Sequence, residues 1–382
     1  MRTPYITLLV MITILLAACT PPVSPTQPPA SAPALTLPAA APSLTATPAS
    51  NPISVTDAAG RTITLPRLPQ RITIAGRAIF LVSHAAYLFP EAITRLVAIG
   101  ETSQGSIEFL PVVDPKLKEK QRLKVDVGPE QVAATNPDLV IIKISQLERL
   151  GKPLEALGLK VVALDLESPE AFARDIKTLG VLFGNEKRAA EITAYYQARL
   201  DRVKSIVDQL PEDKRPRVLL MQYADRDGAV TLSVPPMAWI QTVMTTLAGG
   251  RPAWKDAAAG SGWNKVGFEQ IAAWDVDQIF IISYFTPVNE VVKKLKADPQ
   301  WQSLRAVKEN RLYGFATDFY SWDQADTRWI LGMLWLAGKI NPEAAKGLDI
   351  LTETRDFYQR MYGIDSATFD QAIKPLLTGD LP

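Results

Sequence analysis

The sequence predicts an α/β protein: two β/α/β sandwich lobes with parallel sheets, joined by one long, stiff α-helix. Three observations carry that expectation. Residues 127–142 (VGPEQVAATNPDLVII) recur at 266–281 (VGFEQIAAWDVDQIFI), ungapped at an offset of 139 with eight identities in sixteen positions. A match in register over that length indicates duplication, and the period is far too long for a solenoid. Short runs that are apolar on both faces, as buried parallel strands are, alternate with helical stretches. Between the two copies lies one long segment with a single apolar face.

Taken in order, the chain opens with a positive residue, Arg2, an apolar stretch from Tyr5 to Leu16, and the small-residue run Leu16-Ala17-Ala18-Cys19. A segment this short with these flanks reads as a secretory signal over residues 1–19. Cys19 is the one cysteine of the chain, so no intramolecular disulfide forms. Its position resembles the bacterial lipobox, in which the new N-terminal cysteine is acylated. Residues 20–52 hold ten prolines and no charged residue. Such a composition cannot bury enough surface to offset the entropy of ordering, and predicts an extended, semi-stiff tether.

The N-terminal lobe is assigned to 53–184, with strands at Arg71–Ala75, Leu96–Gly100, the first repeat and Lys160–Leu164. A bridging helix is assigned to 185–211. Asn185 is its expected N-cap and Pro211 its stop. Ile192, Tyr196, Leu200, Val203, Val207 and Leu210 trace one apolar face at spacings of four and three. The C-terminal lobe, 212–382, has strands at Arg217–Gln222, the second repeat and Arg311–Phe315. A stiff bridge predicts small lobe closure rather than a wide hinge swing.

Several chemistries are disfavoured. The formal net charge of +1 offers no dense basic face for nucleic acid. One histidine, His84, leaves a zinc- or manganese-type site improbable, and it reads as a packed or capping residue. No Gly-x-Ser-x-Gly elbow, phosphate loop or dinucleotide fingerprint is present. A carboxylate-pair hydrolase leaves no local signature, but the repeat offers no facing pair of acids. The expectation is a protein that is not an enzyme, with no cofactor and no resident metal.

The lipobox, the paired Glu-Gln-(Val/Ile)-Ala-Ala units, the bridging helix, and the segments VTDAAGRTITLPRLPQR (55–71), NPDLVII (136–142) and SWDQADTRWILGMLWLAGKINPE (321–343) together resemble one family. It is the helix-backbone class of ABC-transporter solute-binding proteins, which includes ferric-siderophore, haem and cobalamin binders. The resemblance covers roughly residues 53–375. It implies a monomeric, lipid-anchored extracytoplasmic protein that delivers a small solute, first a ferric siderophore, to a permease dimer with its ATPase. Cobalamin or haem follow as ligands, then molybdate or tungstate. A tethered solute sensor and a carboxylate-dependent hydrolase are the alternatives from other classes.

Candidate site residues follow from the rule that ligands of open parallel sheets sit beyond the carboxyl ends of the strands. On the first lobe these ends carry Gly76-Arg77, Glu101-Thr102-Ser103 and Lys143. On the second they carry Tyr223, Tyr284 and Asp318-Phe319-Tyr320, with Trp263 just before the second repeat and Trp322 and Arg328 near the following helix. Trp263, Tyr284, Tyr320 and Trp322 suit the walls of an interlobe cleft for a large, partly apolar ligand. Arg77 and Arg328 suit an anionic group on it, unless Arg328 makes a surface ion pair with Asp323 or Asp326. Iron held through Tyr223, Tyr284 and Tyr320 alone is a further option. The resemblance places Glu130 and Glu269 as the residues that dock in the permease, one per lobe. An acid at a helix N-terminus, worth ~0.3–1 kcal/mol, explains either one by itself but not their recurrence.

Overall fold

The strands of the computed structural model lie in a two-stranded hairpin and two larger sheets. The structure describes residues 52–102, 104, 108–258, 260 and 262–381. The signal segment, Cys19 and nearly all of the tether lie outside the described residues, as does Ser103.

A short antiparallel hairpin, β1 (Ile53–Thr56) and β2 (Thr62–Leu65), precedes the first sheet. That sheet has five strands in the order β5-β4-β3-β6-β7. They are β3 (Ile72–Ile74), β4 (Leu96–Gly100), β5 (Gln121–Leu123), β6 (Leu139–Lys143) and β7 (Val161–Leu164), all parallel. Both faces are covered, which is why β6 reads as an unbroken apolar run. Leu139 and Ile141 enter the large core, while Val140 and Ile142 enter a smaller cluster with Val132, Leu150 and Leu154.

The second sheet contains β8 (Arg217–Arg226), β9 (Ala229–Val234), β10 (Arg251–Pro252), β11 (Asn264–Lys265), β12 (Gln278–Ile282) and β13 (Leu312–Gly314). Its main path is β11-β9-β8-β12-β13, with β10 against β8. The β8-β12-β13 part is parallel, but β9 and β11 are antiparallel. The expectation of two parallel sheets is therefore met in the first and modified in the second. The cause is local: Asp227 and Gly228 both take positive φ (54° and 83°), the geometry of a tight hairpin turn, and fold β9 back on β8. The Asp-Gly pair was the visible signal.

The repeats occupy equivalent places. β6 lies between β3 and β7, and β12 lies between β8 and β13. The shared aspartates explain part of the identity. Asp138 accepts from the backbone N–H of Gln70 (2.8 Å) and Arg71 (3.0 Å), and Asp277 accepts from that of Arg217 (2.7 Å). Each carboxylate thus fixes the start of the neighbouring strand.

The long helix runs Glu186–Val207, with Asn185 as N-cap accepting from the Arg188 N–H at 3.0 Å. It stops four residues before Pro211, where Leu210 N–H bonds the Val207 carbonyl and closes a final turn. Twenty-two residues span about 33 Å. Its buried face, Ile192, Tyr195, Tyr196, Val203, Ile206 and Val207, meets both sides of the molecule. Tyr196 packs 4.4 Å from Phe172 on helix Pro169–Phe183 and 5.3 Å from Trp329 on helix Trp329–Ile340. Arg199 and Arg202 pair with Glu353 on helix Ile350–Tyr362. All described residues belong to one compact unit.

Candidate functional site

At the carboxyl ends of the second sheet, three aromatic rings stand in a row. Trp239 meets Trp263 edge-to-face with centroids 5.7 Å apart, and Trp263 meets Tyr284 in the same manner at 6.3 Å. Tyr284 follows β12 directly. The loop before Trp239 is held by the buried Trp254, whose indole N–H donates to the Pro235 carbonyl at 3.0 Å. Met237 and Phe285 extend this apolar edge into solvent, with Phe285 63% exposed.

Beneath the row sits a buried acid. The Tyr284 hydroxyl donates to Asp323 Oδ2 at 2.7 Å, and Gln241 Nε2 donates to the same oxygen at 3.1 Å. Burial pushes the Asp323 carboxyl up to about 6, against the hydrogen bonds from Tyr284 and Gln241 that favour its charged form. Burial likewise raises the Tyr284 phenol well above its ordinary value, reinforced by the charge of Asp323 and, from the first-sheet side, of Glu167. Glu167 itself pairs with Lys143 at 2.6 Å. Lys143 ends β6 and is nearly buried.

The remaining candidates divide. Arg77, beyond β3, is well exposed and its Nε pairs with Asp126 at 2.7 Å. Tyr223 stands apart from the aromatic row: its hydroxyl accepts from Lys294 Nζ at 2.9 Å. Tyr320 is buried and stacks on Phe80 of helix Ile79–Ala86, with centroids 4.9 Å apart and planes 11° apart. Trp322 is fully buried and donates to Asp318 Oδ2 at 3.0 Å. Helix Trp329–Ile340 approaches it closely, since a Cβ at Gly332 would lie 2.3 Å from the Trp322 carbonyl oxygen.

Arg328 is fully buried. Its Nε lies 2.8 Å from Asp318 Oδ1, and its Nη1 lies 2.6 Å from Asp326 Oδ2. The guanidinium also rests 4.4 Å from the Phe109 ring centroid. The surface ion pair envisaged for Arg328 is thus a buried one, with Asp318 rather than Asp323 as second partner. His84 is packed in the same place, its Nδ1 2.9 Å from Asp326 Oδ2, and burial lowers its pKa. Phe80, His84 and Phe109 from the first-sheet side pack here against Phe319, Tyr320, Tyr358 and Tyr362. The segment 318–328 therefore seals the two sides together. Beside it, a groove of about 720 Å³ opens past β4 and β5, lined by Glu101, Thr102, Glu108, Asp114 and Arg122 among others.

Glu130 lies in the first turn of helix Pro129–Ala133 and Glu269 in that of helix Phe268–Trp274. Both are exposed, and neither forms a salt bridge among the described residues. Sequence reasoning missed Trp239, Gln241 and Asp323 as members of one cluster. They come from a loop, a helix and a post-strand segment, and no local pattern connects them.

Residues 104–318, more than half of the chain, match the family of periplasmic binding proteins. The chain belongs to that family. Membership implies an extracytoplasmic location. A curated relative, the iron-uptake system-binding protein of Bacillus subtilis, is 22% identical over 210 residues, covering 54% of this chain and 63% of the relative. The match thus spans less than two thirds of that protein's length. Solved structures share the fold. A periplasmic solute-binding protein from Veillonella parvula superposes with a TM-score of 0.66 at 23% identity, over 85% of this chain and 97% of that one. The molybdate-binding protein MolA of Haemophilus influenzae gives 0.66 at 18%, over 82% and 98%. CeuE of Helicobacter pylori, solved with nickel and histidine, gives 0.64 at 18%, over 85% and 99%. Among the described residues no helix is long and apolar enough to cross a membrane.

Proposed function

We propose that this periplasmic binding protein is the lipid-anchored solute receptor of an ABC importer and captures an iron chelate between its two lobes. The observation that carries the reading is the row Trp239–Trp263–Tyr284 at the carboxyl ends of the second sheet, together with the Lys143–Glu167 ion pair at the carboxyl end of β6 in the first. Aromatic faces suit the organic shell of a chelate, whereas a bare ion needs several converging ligand atoms. The relative named for iron uptake supports iron; cobalamin, haem and then molybdate rank behind it. Cys19 acylation and the tether would keep the domain at the membrane surface, and the domain would act as a monomer. The lobes 53–184 and 212–382 tighten slightly about the long helix. Glu130 and Glu269 then meet the two halves of a permease dimer that works with its ATPase, where charge matching sets orientation and on-rate.

The test is binding by the purified chain, followed by tryptophan fluorescence and melting temperature, against ferric siderophores, cobalamin, haem and molybdate. Submicromolar binding of a ferric siderophore with a raised melting temperature is the expected result. Silence across the whole panel would remove the solute-receptor reading.

A further inference from the structure

The charge that this cleft offers a ligand differs from what the arginines suggest. Arg77 is paired with Asp126, and Arg328, fully buried, is paired through Nε and Nη1 with Asp318 and Asp326, with only its buried Nη2 unpartnered. Neither cation stands free for an anionic solute. The unmet groups near the aromatic row are instead acceptors. Asp323 Oδ1 and Gln241 Oε1 are both buried and have no hydrogen-bond partner, although Asp323 Oδ2 and Gln241 Nε2 are joined to each other. A buried acceptor without a donor is costly, so such a pair calls for an incoming N–H or O–H. The electrostatics agree. Asp323, bonded to the Tyr284 hydroxyl, and more weakly Glu167 both add negative charge to the surroundings of Tyr284. Lys143, at the end of β6, is already engaged by Glu167.

Ring faces attract cations, and an acid behind the rings strengthens the attraction. Trp239, Trp263 and Tyr284 with Asp323 and Gln241 thus form a half-cage in which each part favours the same partner. Resting on the solute-receptor reading above, we propose that this half-cage is a specificity site for a positively charged, N–H-bearing group, so that the preferred solute is a chelate carrying an ammonium rather than a carboxylate-rich one. The ammonium sits against the rings and donates to Asp323 and Gln241, while the apolar edge at Met237 and Phe285 covers the neighbouring hydrocarbon of the chelate.

A matched pair of ligands tests this. Ferrioxamine B carries a pendant ammonium, and its N-acetyl derivative is the same chelate without the charge. Both are titrated against the full chain in detergent by tryptophan quenching, beside ferric citrate as an anionic chelate and the wider panel. The expected result is at least tenfold tighter binding of ferrioxamine B than of the acetylated form. Asp323→Asn should remove most of that preference by weakening the binding of ferrioxamine B. Equal or tighter binding of the acetylated form would overturn the cation site and leave the receptor reading intact. So would binding of ferric citrate or another panel member when neither ferrioxamine binds, or a preference that survives Asp323→Asn. Failure of every ligand in the panel would instead remove the receptor reading itself.

Discussion

His84 Nδ1 lies 2.9 Å from Asp326 Oδ2, and 242 residues separate the two along the chain. The contact ties helix Ile79–Ala86, beside the first sheet, to the segment that enters helix Trp329–Ile340, beside the second. Arg328 sits against both, with Nη1 2.6 Å from Asp326 and 3.2 Å from His84 Nδ1. A polar cluster sealed this way holds the lobes in register by charge as well as by packing, and it is where substitutions should be felt most.

The chain should lose stability as pH falls below about 6.5, in part through His84. Burial lowers the folded-state pKa of this imidazole below its ordinary value of 6.5. Below that value the unfolded chain takes up the proton first, so the contribution is present above pH 6.5 and is lost on acidification. Urea midpoints measured from pH 7.5 to 5 should fall more steeply for wild type than for His84→Gln. Parallel profiles would contradict the assignment.

Arg328→Met should destabilise the fold by roughly 3–5 kcal/mol, because it strands two buried carboxylates. The ionic partners are Asp318 and Asp326, both with fully buried side chains. Denaturant unfolding measures the loss. Wild-type stability in this variant would mean that the guanidinium is not the counterion.

Asp323→Asn should stabilise the protein at pH 8 and do nothing near pH 4. The folded carboxyl is pushed up to about 6 from an ordinary 3.8 by burial, so wild-type stability falls as pH rises through that window. The difference is on the order of 2–3 kcal/mol once Asp323 is ionised, and asparagine carries no such charge while still accepting from Tyr284. Melting temperatures of the two proteins should converge on acidification; a constant offset would argue against a buried ionising acid.

Gly332→Ala should cost about 1–3 kcal/mol or more through overpacking. The added Cβ would meet the Trp322 carbonyl at 2.3 Å, and backbone on both sides leaves little room to yield. Near-ultraviolet circular dichroism, sensitive to the buried Trp322, should change along with the unfolding midpoint.

Reversing both exposed acids, Glu130→Lys with Glu269→Lys, should abolish uptake in cells and leave solution affinity for the solute unchanged. Transport of radiolabelled iron chelate, set beside binding by the purified variant, separates the two. Lost solution binding would sink the docking role.

Much of the architecture was legible because it is written locally. Runs apolar on both faces located β4 and β7 within a residue and placed β6 and β12 at the ends of the two repeats, since a strand covered on both sides has no polar alternation. The Asn185 cap and the four-and-three spacing located the long helix, because a helix start and its buried stripe depend on neighbours within two turns. The gapless repeat marked equivalent strands in two sheets, and the structure adds why Asp138 and Asp277 match: each pins an adjacent strand.

The site was decided elsewhere. Arg328 and Trp322 lie near strand and helix ends, as binding residues do, yet tertiary packing buries both among their own chain's partners. Trp239, Gln241, Tyr284 and Asp323 meet only when a loop, a helix, a strand end and a later segment converge, and contacts of that separation leave no periodic trace. What the sequence by itself determined was the two-lobed α/β plan and its stiff connector, because propensity, capping and repetition act over short distances. Which charges are paired and buried was settled only by the tertiary structure, because pairing and burial depend on residues as much as 242 positions apart.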